Sequence, residues 1–318
     1  MTQTATAKIG LMLPTHAPRD QPLSSEFLGR TAEWAEREGF DALWAGDHIV
    51  HPWQFMESMV TLAFAAARTH TCGIGTCMLL LPMRQLSIAA AQISTLATLS
   101  KGRFNLGVGV GGEWPKEWQA AGIPTAERGA RLDEALPLLL RLCAGETVSF
   151  KGRFNDFSDF EIGPPPPHIP LYLAGQAPVA LERAGRHANG WIGFFRTPAG
   201  FERDSAAIDE ARERAGRAHE AFERGMLLHF HLETDENAAR ERAIALNFGF
   251  PKELQLAGTT EQLQRFALIG SAETIRQRIR EYVEAGCERL VLSPMEKGSH
   301  AYQEQVEMLA AQILPGAG

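Results

Sequence analysis

The chain has 318 residues, 45% hydrophobic and 22% charged, which supplies a large core and excludes wholesale disorder. A net charge of −7 with no Lys/Arg block excludes nucleic acid as the expected partner. The apolar run Met78 to Met83 is far too short to span a bilayer, so no membrane is expected.

Taken in chain order, one pattern recurs. A helical segment ends, a glycine follows, and a short apolar run begins, as at Gly39, Gly102, Gly190 and Gly286. Glycine just past a helix end tolerates the left-handed backbone that caps it. The runs that follow are unbroken rather than alternating, as expected of strands buried on both faces. Eight such runs lie near 8–13, 41–45, 72–79, 104–109, 170–174, 189–194, 226–231 and 288–293. Helical patterns follow near 24–38, 56–69, 86–99, 127–143, 178–187, 199–217, 235–247 and 299–313, with an extra helix near 271–285. In the first helix Phe27, Leu28, Thr31, Ala32, Trp34 and Ala35 form one stripe, with Ser24 or Ser25 as N-cap. Eight β–α alternations predict an α/β fold, a (β/α)8 TIM barrel in one domain over 1–318. Two stretches interrupt the series and read as insertions: 145–168, a hairpin with the proline run Pro164 to Pro167 before strand five, and 248–270 after strand seven.

In such a barrel, chemistry sits where strands end and loops begin. After strand two, Asp47 and His48 are followed by His51 and Trp53. A carboxylate beside an imidazole can tune it for proton transfer, or simply cap the loop. After strand three, the small residues Gly75, Thr76 and Cys77 precede Met78 to Leu81, a run suited to bringing backbone close behind a flat ligand or simply to a buried strand end. Cys77 has no base partner in the sequence and reads as structural. After strand four, Gly107, Gly109 and Gly112 match G-x-G-x-x-G. Three strands precede the motif and no acidic strand end follows it, so it is not read as a Rossmann fingerprint. After strand five, Gly175, Gln176 and Ala177 stand where free helix-start amides can hold a phosphate, or where the chain makes a plain βα turn. His48, His229 and His231 leave open a metal-dependent hydrolase, although no carboxylate cluster supports a metal and none is expected. The four scattered cysteines, Cys72, Cys77, Cys143 and Cys287, lack a C-x-x-C. With the small, polar N-terminus they read as a reduced, cytoplasmic protein.

The segments "KIGLMLP", "GFDALWAGDHIV", "CGIGTCMLLLPMR", "LSKGRFNLGVGVGG", "AERGARLDEAL", "PLYLAGQAPVALERAGRHANGW" and "GSAETIRQRIREYVEAGCERLVLSP", in this order, resemble the bacterial luciferase-like flavin-dependent oxidoreductases. "GDHIV", "GTCMLLLP" and "SFKGRF" resemble the branch that uses the deazaflavin coenzyme F-420; an FMN-dependent monooxygenase is the alternative. The resemblance implies a flavin-type ring at the C-terminal mouth of the barrel and a non-proline cis bond at Cys77–Met78. It places Thr76, Cys77, Met78, Gly109, Gly111, Gly112, Gly175, Gln176 and Ala177 around the cofactor. Asp47 and His48 fall near ring and substrate, with His48 moving the proton and Asp47 orienting it. Trp53, Glu113 and Phe194 would line the substrate pocket. A small-molecule substrate and a second copy of the chain, as a homodimer, are the implied partners. Three positions depart from the family pattern: Glu113 is one place from where an acid would align, Asn189 replaces an aspartate, and Gln176 replaces a glycine. A barrel that has lost catalysis and only binds a partner is the reading those departures leave open.

Overall fold

The computed structural model describes residues 7–163, 165–249, 252 and 255–316. Every apolar run becomes a strand. These are β1 Lys8–Met12, β2 Ala42–Ala45, β3 Gly73–Thr76, β4 Phe104–Val108, β5 Leu171–Ala174, β6 Gly190–Phe194, β7 Glu223–Leu232 and β8 Arg289–Pro294. Each pairs in parallel with its neighbour in chain order, and β8 pairs with β1. The sheet is therefore closed, a (β/α)8 barrel ringed by helices.

The helix starts and stops follow the local chemistry. Helix Ser25–Glu38 begins at Ser24, whose hydroxyl accepts from the Phe27 amide, and ends at Gly39 with φ 89°. Leu28, Ala32 and Ala35 turn its stripe onto the barrel. Inside the barrel, Trp44 on β2 lies across Gly10 and Gly75. A Cβ on either glycine would stand 2.4 Å from the indole. Gly75 thus makes room for a core tryptophan, the buried-strand reading of the two the sequence left open. Below Trp44, at the N-terminal end, Arg289 donates to Glu223 at 2.7 Å and to Asp41. Its guanidinium lies over the rings of Trp44 and Tyr172.

The stretch 145–168 holds an antiparallel hairpin, Val148–Lys151 with Asp156–Phe160; Pro164 lies outside the described residues. The stretch 248–270 holds helix Thr260–Phe266 and strand Leu268–Gly270, which extends β7 in parallel. Its residues Phe250, Pro251, Glu253 and Leu254 lie outside the description. Among the described residues, two small elements near the strand ends had no forecast in the sequence. One is the ribbon His16–Ala17 with Gln54–Phe55. The other is the six-residue helix Pro115–Ala120. No described helix is long and apolar enough to cross a membrane.

Candidate active site

The C-terminal strand ends enclose an inner cavity of about 320 Å³, within the range of small-molecule sites. One side comes from β2 to β4: Asp47, His48, Cys77, Met78, Gly109 and Gly111. The other comes from β5 to β7: Gly175, Ile192, Phe194 and Leu227. The Cys77–Met78 peptide is cis. β3 breaks off there, and pairing resumes at Leu79 beside Val108. The strand-four glycines serve this turn first. A Cβ on Gly107 would meet the Thr76 carbonyl oxygen at 2.1 Å, and one on Gly109 would meet Met78 Cβ at 3.1 Å. Thr76 itself does not reach the cavity. It is fully buried, its hydroxyl donating to Gly107 O at 2.7 Å and accepting from Gly107 N at 2.9 Å. Gly112 has φ 123° and faces the Arg128 side chain rather than the cavity. Burial pushes the Cys77 thiol up to about 12, so it stays protonated and is no nucleophile.

Asp47 and His48 separate in role. The Asp47 carboxylate is buried and accepts from Ser58 Oγ at 2.9 Å, Leu80 N at 2.9 Å and Arg84 Nη2 at 2.7 Å. It ties the loop after β2 to the segment that carries Met78. None of its bonds reaches His48, which corrects the expectation that it orients that ring. The orienting group is Glu117. His48 Nδ1 donates to Glu117 Oε2 at 3.1 Å, and the glutamate is completely buried. Glu117 sits in the third position of helix Pro115–Ala120, where proline at the first position sets the backbone and the helix dipole favours an acid. Trp118, fully buried, pins that helix down. The signal in the sequence was "WPKEW", a helix start that places an acid four residues beyond Glu113.

Above the inner cavity lies an outer one of about 390 Å³. His48, Phe55, Glu113, Phe195 and His229 line both. His16 stacks on Phe55 and Trp53 with ring centroids 4.8 and 5.8 Å apart. His51 accepts from the Trp53 amide at 3.1 Å and packs its ring edge against Trp114. The electrostatics are lopsided. Burial, then the neighbouring His48, lowers His51 to about 4. Burial, then Lys297, lowers His229 to about 3. Burial also lowers Lys297 to about 8, opposed by Glu296. His231, two residues along β7, does not join them. It is 1% exposed and lies 3.4 Å from Glu233. His48, His229 and His231 therefore do not converge, and no group of three metal-ligand side chains is found among the described residues.

The sequence profile of the luciferase-like monooxygenases matches residues 7–289. The chain belongs to that family. It is a flavin- or deazaflavin-dependent oxidoreductase or monooxygenase by that membership. Among its relatives, the F-420-dependent glucose-6-phosphate dehydrogenase of Intrasporangium calvum is 30% identical over 314 residues, covering 89% of this chain and 92% of that protein. The fold is shared with an F-420-dependent secondary alcohol dehydrogenase solved with an F-420–acetone adduct, at a TM-score of 0.83, 22% identity and 99% coverage of both chains. It is also shared with the oxygenating constituent of 3,6-diketocamphane monooxygenase from Pseudomonas putida, solved with FMN. There the TM-score is 0.74, the identity 17%, and the coverage 98% of this chain and 99% of that one.

Within the family frame, two of the departures have structural explanations. Asn189 lies at the N-terminal end of the barrel, where its side chain accepts from Leu171 N at 3.0 Å and its backbone joins the starts of β5, β6 and β7. That end is the stability face of the fold, remote from the luciferase-like site. Gln176 donates to the Phe194 carbonyl, locking the β5 loop to the end of β6. Gly175 takes φ 127°, and a Cβ there would lie 2.6 Å from that of Ala180. Ala177 is the N-cap of helix Pro178–His187. Trp53 lines the outer cavity only, and Glu113, the exposed third departure, lines both.

Proposed function

We propose that this family member transfers a hydride between coenzyme F-420 and a small organic substrate. The observation that carries it is the His48–Glu117 pair at the junction of the two cavities, a proton-handling group beside an apolar slot without a nucleophile. The slot fits a flat tricyclic ring: Gly109 and Gly175 present bare backbone, and Met78, Ile192 and Leu227 present apolar surface. These residues would hold the ring, and the amides around Gly175 to Ala177 a phosphate. When bound, the deazaflavin supplies or accepts the hydride.

The rest is the work of the chain. Glu117 accepts from His48 Nδ1 and so fixes the ring with Nε2 as the free nitrogen. Nε2 gives or takes the proton that balances hydride transfer at a carbon–oxygen bond. Phe194, Phe195 and Phe55 exclude water from the junction. The identities of relatives such as the Intrasporangium calvum enzyme support the deazaflavin over FMN.

The test is a titration of purified protein with F-420 and with FMN, followed by fluorescence. Saturable binding of F-420 in the micromolar range, with FMN at least tenfold weaker, is expected. Tight FMN binding without F-420 binding overturns the reading in favour of an oxygen-using monooxygenase.

A further inference from the structure

Hydride transfer at the inner cavity leaves the polar character of the outer one unexplained. Lys297 follows β8 and lines that cavity. Its ammonium donates to Pro294 O at 2.8 Å. Among the described residues no carboxylate pairs with it. Its neighbour Glu296 is engaged by Arg242 at 2.7 Å, and Glu113, the one carboxylate among the described residues that line the cavity, forms no ion pair with it. His16 and His229 stand close enough for the charge on Lys297 to lower both. His16 Nδ1 is buried without a hydrogen-bond partner. A partly desolvated ammonium without an ion-pair partner is costly, as is a buried imidazole nitrogen without a partner. The first cost falls when an anion arrives with the ligand. Neutral imidazoles offer N–H donors to it without adding charge. The aromatic rings of Trp53, Phe55 and Trp114 supply walls for the apolar remainder.

We infer that the outer cavity binds the oxyanion of an organic substrate, a carboxylate or a phosphate, with Lys297 as counter-charge and His16 and His229 as hydrogen-bond donors. The link to catalysis rests on the proposed hydride transfer. The anion site does not, and can be measured without it.

Trp53 and Trp114 line the cavity, so intrinsic fluorescence reports its occupancy. Benzoate, phenyl phosphate and neutral benzamide are titrated onto the full chain at constant ionic strength and pH 7. One of the two anions is expected to bind at least tenfold more tightly than benzamide, and which one does so distinguishes carboxylate from phosphate. Among the described residues, the titratable groups around Lys297 are His16, His48, His51, His229 and Glu113, which line the same cavity, and its neighbour Glu296. The histidines whose shifts are resolved are lowered, so above pH 7 the lysine is the group expected to titrate. The benzoate preference should therefore fade as pH rises through about 8. Lys297→Met should abolish the preference while F-420 still binds. His16→Phe should weaken it three- to tenfold and serves if Lys297→Met fails to fold. Equal binding of benzamide and both anions, or a preference that survives in Lys297→Met, overturns the inference. Anion binding without F-420 binding sinks the proposed function and leaves this site standing.

Discussion

The two cavities are built by opposite means. The inner one is made of strand ends, bare glycine backbone and a few apolar side chains, with Asp47 consumed in holding the segment that carries Met78. The outer one is made of side chains delivered by loops: His16 and Phe55 from the small ribbon, His51 and Trp53 beside it, Trp114 ahead of a short helix, and Lys297 after β8. A closed barrel fixes the position of the first almost independently of side-chain identity. The second can be rebuilt by changing loops while the barrel stays intact. Under the proposed hydride transfer, the shared chemistry falls below and the choice of substrate above. His48 stands at the boundary.

Substitutions separate the two regions by what they damage. His48→Ala should lower kcat by at least about a hundredfold while F-420 binding is retained; an unchanged kcat removes His48 from the mechanism. Glu117 touches the reaction only through His48. Glu117→Gln should therefore lower kcat by roughly tenfold with KM little changed, and the double variant should be no slower than His48→Ala alone. Additive losses would mean that Glu117 has a separate role. Behind the inner wall, Gly107→Ala should act on the fold instead. Its Cβ would press on backbone at 2.1 Å, and overpacking of this kind costs about 1–3 kcal/mol. Urea denaturation reads that loss, and an undiminished midpoint would show that the wall yields.

The same contrast explains what could be read from the sequence. The strands were legible because runs buried on both faces, each set off by a capping glycine, leave a local signature. Met78, Gly109 and Gly175 followed, since strand ends locate the inner site. Asp47 was located but assigned the wrong partner. Its donors, Ser58, Leu80 and Arg84, lie 11 to 37 residues away, and no spacing rule links them. Glu117 was missed because a six-residue helix has too short a period to read. Lys297 and His16 are 281 positions apart in sequence, and only barrel closure brings them together. Gly75 stayed ambiguous because a glycine facing a tryptophan and a glycine facing a ligand look alike in a string of letters.

The smallest expected effect tests whether the outer wall is tuned for neutral imidazoles. His51 is lowered from 6.5 to about 4, and its Nδ1 accepts from the Trp53 amide. A proton on that nitrogen abolishes the acceptor. The unfolded chain binds this proton below pH 6.5, whereas the folded chain resists it until about 4. In that window the unfolded state carries more protons, so stability falls as pH falls. Allowing for partial exposure, His51 accounts for about 1 kcal/mol of loss between pH 7 and pH 5. His51→Phe keeps a ring against Trp114 and removes the titration. Its urea midpoint should be more alike at the two pH values than that of the parent chain, although His16 and His229 still contribute. If both proteins lose the same stability over this range, His51 is not held neutral by the fold, and the outer cavity loses one of the features that set it apart from the inner one.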